Sequence, residues 1–475
     1  MEFIKFFNLK PLLFISALMP AAGIAVSLPP ELNKIIQQLG FDHQGLSLIV
    51  HEINQPSPTV SLAAQTPRNP ASVIKLLTTA TALAKLGINF QWPTEAYITK
   101  SFNTDSLSGN LYIKGYGDPF FMPEFFWRFV YHLHLKGLRH INGDVILDRS
   151  HFAVAAEDPG KFDGKPFRSY NVQPDALLLN FQSLALQITP KRDTVEVQSF
   201  PRLSNLNIVN KLSLTQGRCG NWQHRITYLA KFTSNITIDL TGRFAQACNT
   251  RTLYRSVLPK IAFFEGTLRT LWQERGGRIS GQFRYGNVPK NATLLYQAKS
   301  LPLAEIVRRI NKYSNNVMTQ QLLLTLGAEL IGPPGTHEAG IKVITDWLTE
   351  QQLDTQNLVL ENGAGRSRNT RITAQLLNDL LLQLYEQAYM PEFIASLPVI
   401  GVDGTLAKRQ THTDLTGKAH IKTGLLDFVR SMAGYVHSRS GKRFVVVLLH
   451  NHPKAHTKQG ERLQNTVLNW VYTQS

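Results

Sequence analysis

Helical text lies at both ends of this 475-residue chain and β text fills its middle, and that segregation limits how the chain can fold. A chain this long outgrows one hydrophobic core, so two or three domains are expected. Residues 45–64, GLSLIVHEINQPSPTVSLAA, read as two strands around a Pro/Asn turn. A helix follows at 70–86. From about residue 98 to 290, short alternating runs and turn residues dominate, with helical exceptions near 122–136 and 259–275. Helical periodicity returns at 301–313, 317–330 and 373–387. The chain closes with the strands HIKTGLL, VRSMAGYVHS and KRFVVVLLHN, then the amphipathic helix GERLQNTVLNWVYTQ. There is no internal repeat or low-complexity tract. The simplest account is a mixed α/β (α+β) domain interrupted by a long β-rich insertion.

The composition is globular, with 43% hydrophobic and 17% charged residues. MEFIKFFNLK supplies two lysines and PLLFISALMPAAGIA an apolar run, interrupted by Pro20 and ending in small residues at Gly23 and Ala25. This is signal-peptide anatomy, shorter than the ~20 residues a spanning helix needs. Cleavage is expected near Ala25 and the mature protein is expected to be exported and soluble; an uncleaved anchor is the alternative. The net charge of +17 is scattered rather than blocked. For an exported protein it suits an anionic envelope surface or polymer, touched at most peripherally, better than nucleic acid. Solubility alone would also explain it. Cys219 and Cys248 are the only cysteines, and a pair in an exported protein is expected to form a disulfide.

NPASVIKLLTTATAL, residues 69–83, carries one charge, Lys75. Asn69 is a good N-cap, Pro70 suits the first helical position and Gly87 is a natural stop. Val73, Ile74, Leu76, Leu77, Ala80, Leu83 and Ala84 cover most of the circumference, which predicts a buried helix. Lys75 follows Ser72 at i+3, on the same face. Burial, and any cation nearby, would lower the lysine pKa. A neutral lysine beside a serine hydroxyl can take its proton, which is one way to make a serine nucleophile. The alternative is a lysine snorkelling out of a core helix.

A catalytic serine needs partners. There is no G-x-S-x-G elbow, no H-E-x-x-H and no paired-cysteine metal motif. HNHPKAH, with His450, His452 and His456, has the look of a metal cluster, but it lacks a carboxylate partner and is broken by Pro453, so a solvated loop is expected there. No metal or cofactor is expected. Lys422-Thr423-Gly424 opens a strand and occurs once, as does Ser72-x-x-Lys75. S-x-N fits five places, beginning at Ser101, Ser108, Ser169, Ser314 and Ser367. Ser314-Asn315-Asn316 is the best placed, at a junction of two helical patterns and between the other two motifs. This triple set belongs to β-lactamases and penicillin-binding proteins.

With these motifs the chain resembles the D-alanyl-D-alanine carboxypeptidase/endopeptidase family, the low-molecular-mass class C penicillin-binding proteins. The resemblance extends through GYGDP, GDVILDRSHF, LLLNFQ, ENGAGRSRNTRITA, PVIGVDGTL and KTGLLDFVRSMAGYV. It implies a transpeptidase-like domain, an antiparallel sheet flanked by helices, near 28–97 and 290–475. It also implies an inserted domain near 98–170 and 255–289 and another near 171–254. It implies Ser72 as nucleophile and Lys75 as its base. Ser314 would relay the proton to the leaving amine, with Lys422 setting the local field. Asn316 would hold the substrate amide and Thr423 the terminal carboxylate, while the N–H groups of Ser72 and Leu425, past Gly424, would form the oxyanion hole.

There are two departures. Leu425 stands where the family often has Thr or Ser. PGKFDGKPF, with Asp163 its one acid, stands where the family tends to have Trp-Asp-Asp, whose acid is proposed to meet the free amine of a stem peptide. The implied activity is a serine peptidase on D-Ala-D-Ala termini or D-alanyl crosslinks of peptidoglycan, acylated by β-lactams and acting on stem peptides. A β-lactamase on the same fold and a non-catalytic cationic wall-binding protein are the rivals.

Overall fold

In the computed structural model the described residues are 28–102, 104–232 and 236–474; the apolar run at 11–25 and the expected cleavage site near Ala25 lie outside them. The architecture is mixed α/β, and its first unit is built from both ends of the chain. Five antiparallel strands run in the order Ala419–Leu426, Val429–His437, Arg443–Asn451, Leu46–Glu52, Val60–Leu62. The N-terminal strand Leu46–Glu52 thus lies against the last strand of the chain.

The two faces of this sheet are covered differently. Val445, Val447 and Leu449 pack with the helices Lys75–Leu86, Leu303–Tyr313, Asn316–Leu330 and Ala374–Tyr385. Phe444, Val446 and Leu448 pack with the helices Pro30–Gln38 and Lys458–Tyr472. Burial on both faces is why RFVVVLLH is an unbroken apolar run rather than an alternating one.

The serine segment departs from the expected helix start. Residues Ala71–Ile74 form a 3-10 turn and the α-helix begins at Lys75. Ala71 sits at φ 46°, outside the helical region, so Pro70 cannot be a first helical residue. The Asn69 side chain instead accepts the Ala71 N–H at 2.9 Å. The helix itself is buried from Lys75 through Leu83.

The inserted unit holds a mixed five-stranded sheet, Phe283–Tyr285, Val145–Asp148, Leu111–Gly115, Pro93–Ile98, Thr293–Lys299. Two three-stranded sheets lie between residues 184 and 255. The helices Pro123–Leu135 and Lys260–Gln273 share one core with these sheets, through Phe126, Phe129, Phe263 and Trp272. The chain leaves and re-enters the first unit side by side: Trp92 N–H donates to Ser300 Oγ (2.9 Å) and Ser300 N–H to Trp92 O (3.0 Å).

Cys219 and Cys248 are bonded, closing a loop of 29 residues in the inserted unit, and Cys248 is fully buried in its core. Replacing both by Ala is expected to lower stability by roughly 3–4 kcal/mol on the chain-entropy account. A denaturant midpoint unchanged from the oxidised protein would contradict this.

The histidine cluster corrects an expectation. His450 is not in a solvated loop: it is the penultimate residue of the strand Arg443–Asn451, at 1% exposure, against Phe41 (ring centroids 4.5 Å) and His452 (5.6 Å). Phe428 N–H donates to His456 Nδ1. Among the described residues no three side chains form a metal-capable group. Burial, with help from His452 and Arg68, pushes the His450 pKa down to about 4. An unfolded histidine titrates near 6.5, so the unfolded chain takes up this proton first. Stability is therefore full above pH 6.5 and falls as the pH drops toward 4, by at most about 3 kcal/mol. The variant His450→Phe should flatten the stability–pH curve in that window; an unchanged slope in chemical denaturation would refute the burial effect.

Candidate active site

Three segments far apart in the chain converge on one buried amine. Lys75 Nζ, at 0% exposure, lies 3.0 Å from Ser72 Oγ, 2.7 Å from Asn316 Oδ1 and within hydrogen-bond reach of the Ala364 carbonyl. Burial, then Lys422, then Arg366 hold its pKa well below the ordinary lysine value. A neutral amine has two N–H bonds and one lone pair. The amide oxygen of Asn316 and the carbonyl of Ala364 can only accept, so they take the two N–H bonds. In that neutral form the lone pair is left for Ser72, whose hydroxyl is the one of the three partners able to donate.

The turn carrying Ser72 is clamped from both sides. On one side the strand Ala419–Leu426 runs so close that a Cβ on Gly424 would lie 2.4 Å from Pro70 O and 3.0 Å from Ala71 Cβ. Ser431 Oγ also donates to Pro70 O. On the other side the loop Asn362–Arg366 closes over the helix start. A Cβ on Gly365, which has φ 83°, would lie 2.2 Å from Ala71 O. Asn362 Oδ1 accepts from Ala364 N (3.0 Å) and Gly365 N (3.2 Å), and Thr78 Oγ1 donates to Gly363 O (2.9 Å). These contacts aim the Ala364 carbonyl at Lys75.

A second serine–lysine pair faces the first. Ser314 ends the helix Leu303–Tyr313 in the left-handed conformation (φ 55°). Asn315 then caps the next helix, accepting Met318 N–H at 3.0 Å, and Asn316 opens it. Lys422 Nζ, fully buried, donates to Ser314 Oγ (2.9 Å) and to Thr423 O (2.8 Å). Burial pushes its pKa down to about 7. Ser72, Lys75, Ser314, Asn316, Lys422, Thr423 and Gly424 are thus joined by direct contacts or one intervening group. Leu425 follows with its side chain 55% exposed.

Asp163 stands one shell away. Partial burial raises its pKa, but hydrogen bonds from Asn171 and Tyr170, the Lys165 N–H and the field of Arg366 outweigh that and hold it below the usual carboxylate value. Arg366 links it to the site: its guanidinium packs over the rings of Phe162 (5.0 Å) and Tyr170 (5.9 Å) and donates to Tyr170 O (3.1 Å). The residue types of the chain did not single out Ala364 or Arg366. The one signal was the Asn-Gly-x-Gly spacing of residues 362–365, a turn that can bring a backbone carbonyl close to another segment.

The family model "D-Ala-D-Ala carboxypeptidase 3 (S13)" matches residues 28–471. A D-alanyl-D-alanine carboxypeptidase of Actinomadura sp. (strain R39) is 27% identical over 402 residues, covering 81% of this chain and 73% of that one. The crystal structure of penicillin binding protein 4 (dacB) from Haemophilus influenzae superposes with a TM-score of 0.78 at 20% identity, covering 93% of this chain and 99% of that one. The penicillin G acylated Bd3459 endopeptidase of Bdellovibrio bacteriovorus, in complex with an immunity protein, superposes at 0.51 and 15% identity, covering 90% of each chain.

The clamp can be tested apart from chemistry. Gly365→Ala combines positive φ with a steric clash on backbone, and should destabilise by roughly 2–4 kcal/mol. Gly276→Ala, at φ 74° with nothing within 4 Å of its Cβ, carries the conformational strain alone and should destabilise by roughly 1–2 kcal/mol. Equal shifts of the two denaturant midpoints would mean that the loop does not press on the Ser72 turn.

Proposed function

The chain belongs to the D-Ala-D-Ala carboxypeptidase 3 (S13) family, and on that premise we propose that it is a serine D,D-peptidase of peptidoglycan working through an acyl-enzyme on Ser72. The observation that carries this reading is the fully buried Lys75 amine 3.0 Å from Ser72 Oγ, with its pKa held well below the ordinary lysine value. In our reading Ser72 Oγ attacks the carbonyl carbon of the penultimate D-alanine as its proton passes to Lys75 Nζ. The oxygen of the tetrahedral intermediate is held by the N–H groups of Ser72 and Leu425. The C–N bond breaks, a proton reaches the leaving amine through Ser314, and the ester remains on Ser72. Water then attacks the ester, giving the shortened peptide and free Ser72. Lys422 orients Ser314 and supplies positive field, Asn316 holds the substrate amide and Thr423 the terminal carboxylate. A positioned base of this kind contributes typically 100- to 10,000-fold.

Both D-Ala-D-Ala termini and D-alanyl crosslinks fit this chemistry, since each presents a D-alanyl carbonyl bonded to an amine. β-Lactams present a strained equivalent, and acylation of the Bdellovibrio endopeptidase by penicillin G supports the same event here. Asp163, ionised beside Arg366, is assigned to the free amine of the stem peptide. We place the inserted unit in two domains, near 93–170 with 255–299 and near 171–254; the boundaries expected at 97/98 and 289/290 move outward because the strands Pro93–Ile98 and Thr293–Lys299 belong to the inserted sheet, and the chain crosses from the first unit at Trp92 and Ser300. We also place the mature protein outside the cytoplasm, in a bacterial envelope, on the strength of the N-terminal apolar run and the Cys219–Cys248 bond. No helix among the described residues is long and apolar enough to cross a membrane.

A labelled penicillin tests the reading. The unmodified protein should become stably labelled, and Ser72→Ala should not label at all. Lys75→Arg should label at least about 100-fold more slowly, because a guanidinium stays charged and cannot accept the proton. Rapid turnover of the label would favour a β-lactamase, and absence of labelling a binding protein. A folded Lys75→Arg variant that acylates at the unmodified rate would remove Lys75 from the mechanism.

A further inference from the structure

The position after the Lys-Thr-Gly triplet is occupied by an apolar side chain, yet the site does not lack a second hydroxyl there. Thr405 reaches it from another segment: its Oγ1 lies 3.3 Å from Thr423 Oγ1. Thr405 is exposed and Thr423 half-buried, and Lys422, which donates to Thr423 O, also donates to Ser314 Oγ. Of two paired hydroxyls, one donates to the other and the second proton is free to point outward. Two adjacent O–H groups beside a lysine suit an anionic, planar acceptor.

Thr405 is held there by a device the chemistry described so far does not use. Lys312, two residues before Ser314 and 4% exposed, lies 2.8 and 2.6 Å from the two carboxylate oxygens of Asp403 and donates to Leu397 O at 2.6 Å. Asp403 also accepts the Val399 N–H (2.9 Å). Gly404, at φ 60°, lies against the backbone of the Ser314 helix: a Cβ there would be 2.5 Å from Lys312 O. On the far side Leu406 is buried at 1% exposure in the core beneath the sheet. Thr405 is therefore the exposed residue between two anchors, and one of those anchors carries Ser314.

We propose that Thr405 is a second substrate-binding hydroxyl, which with Thr423 takes the free α-carboxylate of the leaving D-residue, and that Lys312 and Asp403 are the positioning residues that set the pair in register with Ser314. This rests on the serine-peptidase reading. It makes Thr405 a specificity residue: it rewards a substrate that ends in a carboxylate and is indifferent to one that ends in an amide.

The experiment compares an N-acylated peptide ending in D-Ala-D-Ala with its C-terminal amide, on the full chain. Thr405→Val keeps the shape and removes the hydroxyl. It should lower kcat/KM for the free acid about tenfold or more, the scale of a hydrogen bond to a charged group, and leave the amide within about twofold. Thr405→Ser restores the hydroxyl and should restore the free acid. Asp403→Asn, which releases the anchor without touching substrate, should lower the preference for acid over amide in the same direction. An equal loss on both substrates, or no loss on either, would overturn the assignment even though the enzyme is active. Cleavage of neither substrate by the unmodified protein would overturn the peptidase reading and the hydroxyl pair with it.

Discussion

A lysine at zero exposure is the interaction on which the site depends. Desolvating a charged amine is expensive, and that expense holds the Lys75 pKa well below the ordinary lysine value. Lys75 bonds three oxygen atoms and, among the described residues, no carboxylate, while Lys422 and Arg366 press its pKa in the same direction as burial does. The oxygens come from residues 72, 316 and 364, so the basic lone pair exists only where three segments are docked together. The glycines at 365 and 424 serve the same end, because each admits backbone to within a distance a side chain would forbid. The close packing and the chemistry share one cause.

The helix Asn316–Leu330 connects this centre to the inserted unit. Its first residue touches Lys75. One and a half turns on, Gln321 is fully buried, donates to Asp175 O (2.9 Å) and Gly117 O (3.3 Å), and accepts the Asp175 N–H (2.7 Å). Further along, Thr325 Oγ1 accepts the Trp92 indole N–H at 2.8 Å. A single rigid element thus faces the reacting atoms at one end and grips the insertion along its length. The insertion also holds Asp163 next to Arg366 from the other direction, so the site is bounded by both units.

Much of this was legible in the residues. The buried helix, the long β-rich insertion, the three motifs in order and the cysteine pair could each be read because a local property carried them: periodicity, turn residues, an unusual charge. What could not be read depends on partners distant in the chain. The helix His337–Glu350 is not legible in the sequence because Gly340 interrupts its pattern. That glycine is a packing residue, whose Cβ would lie 2.2 Å from Leu323 O on the neighbouring helix. The serine helix starts later than its residues suggest, because Ala71 takes a positive φ in the turn that the strand and the loop clamp. Ala364 acts through its carbonyl, which every residue has, so no side chain marks it. Thr405 acquires meaning only once Lys312 and Asp403 bring its loop to the Lys-Thr-Gly strand.

The way the first unit is assembled also sets a timetable. Its sheet places Leu46–Glu52 beside Arg443–Asn451, so a strand made among the first residues waits for one made among the last. Meanwhile the insertion, which has a core of its own, can condense as it emerges. A chain that ends between Ser72 and Lys422 has the serine but neither the strand that clamps its turn nor the lysine that bonds Ser314. The paired serine–lysine arrangement therefore exists only once the Lys-Thr-Gly strand has joined the segment that carries Ser72.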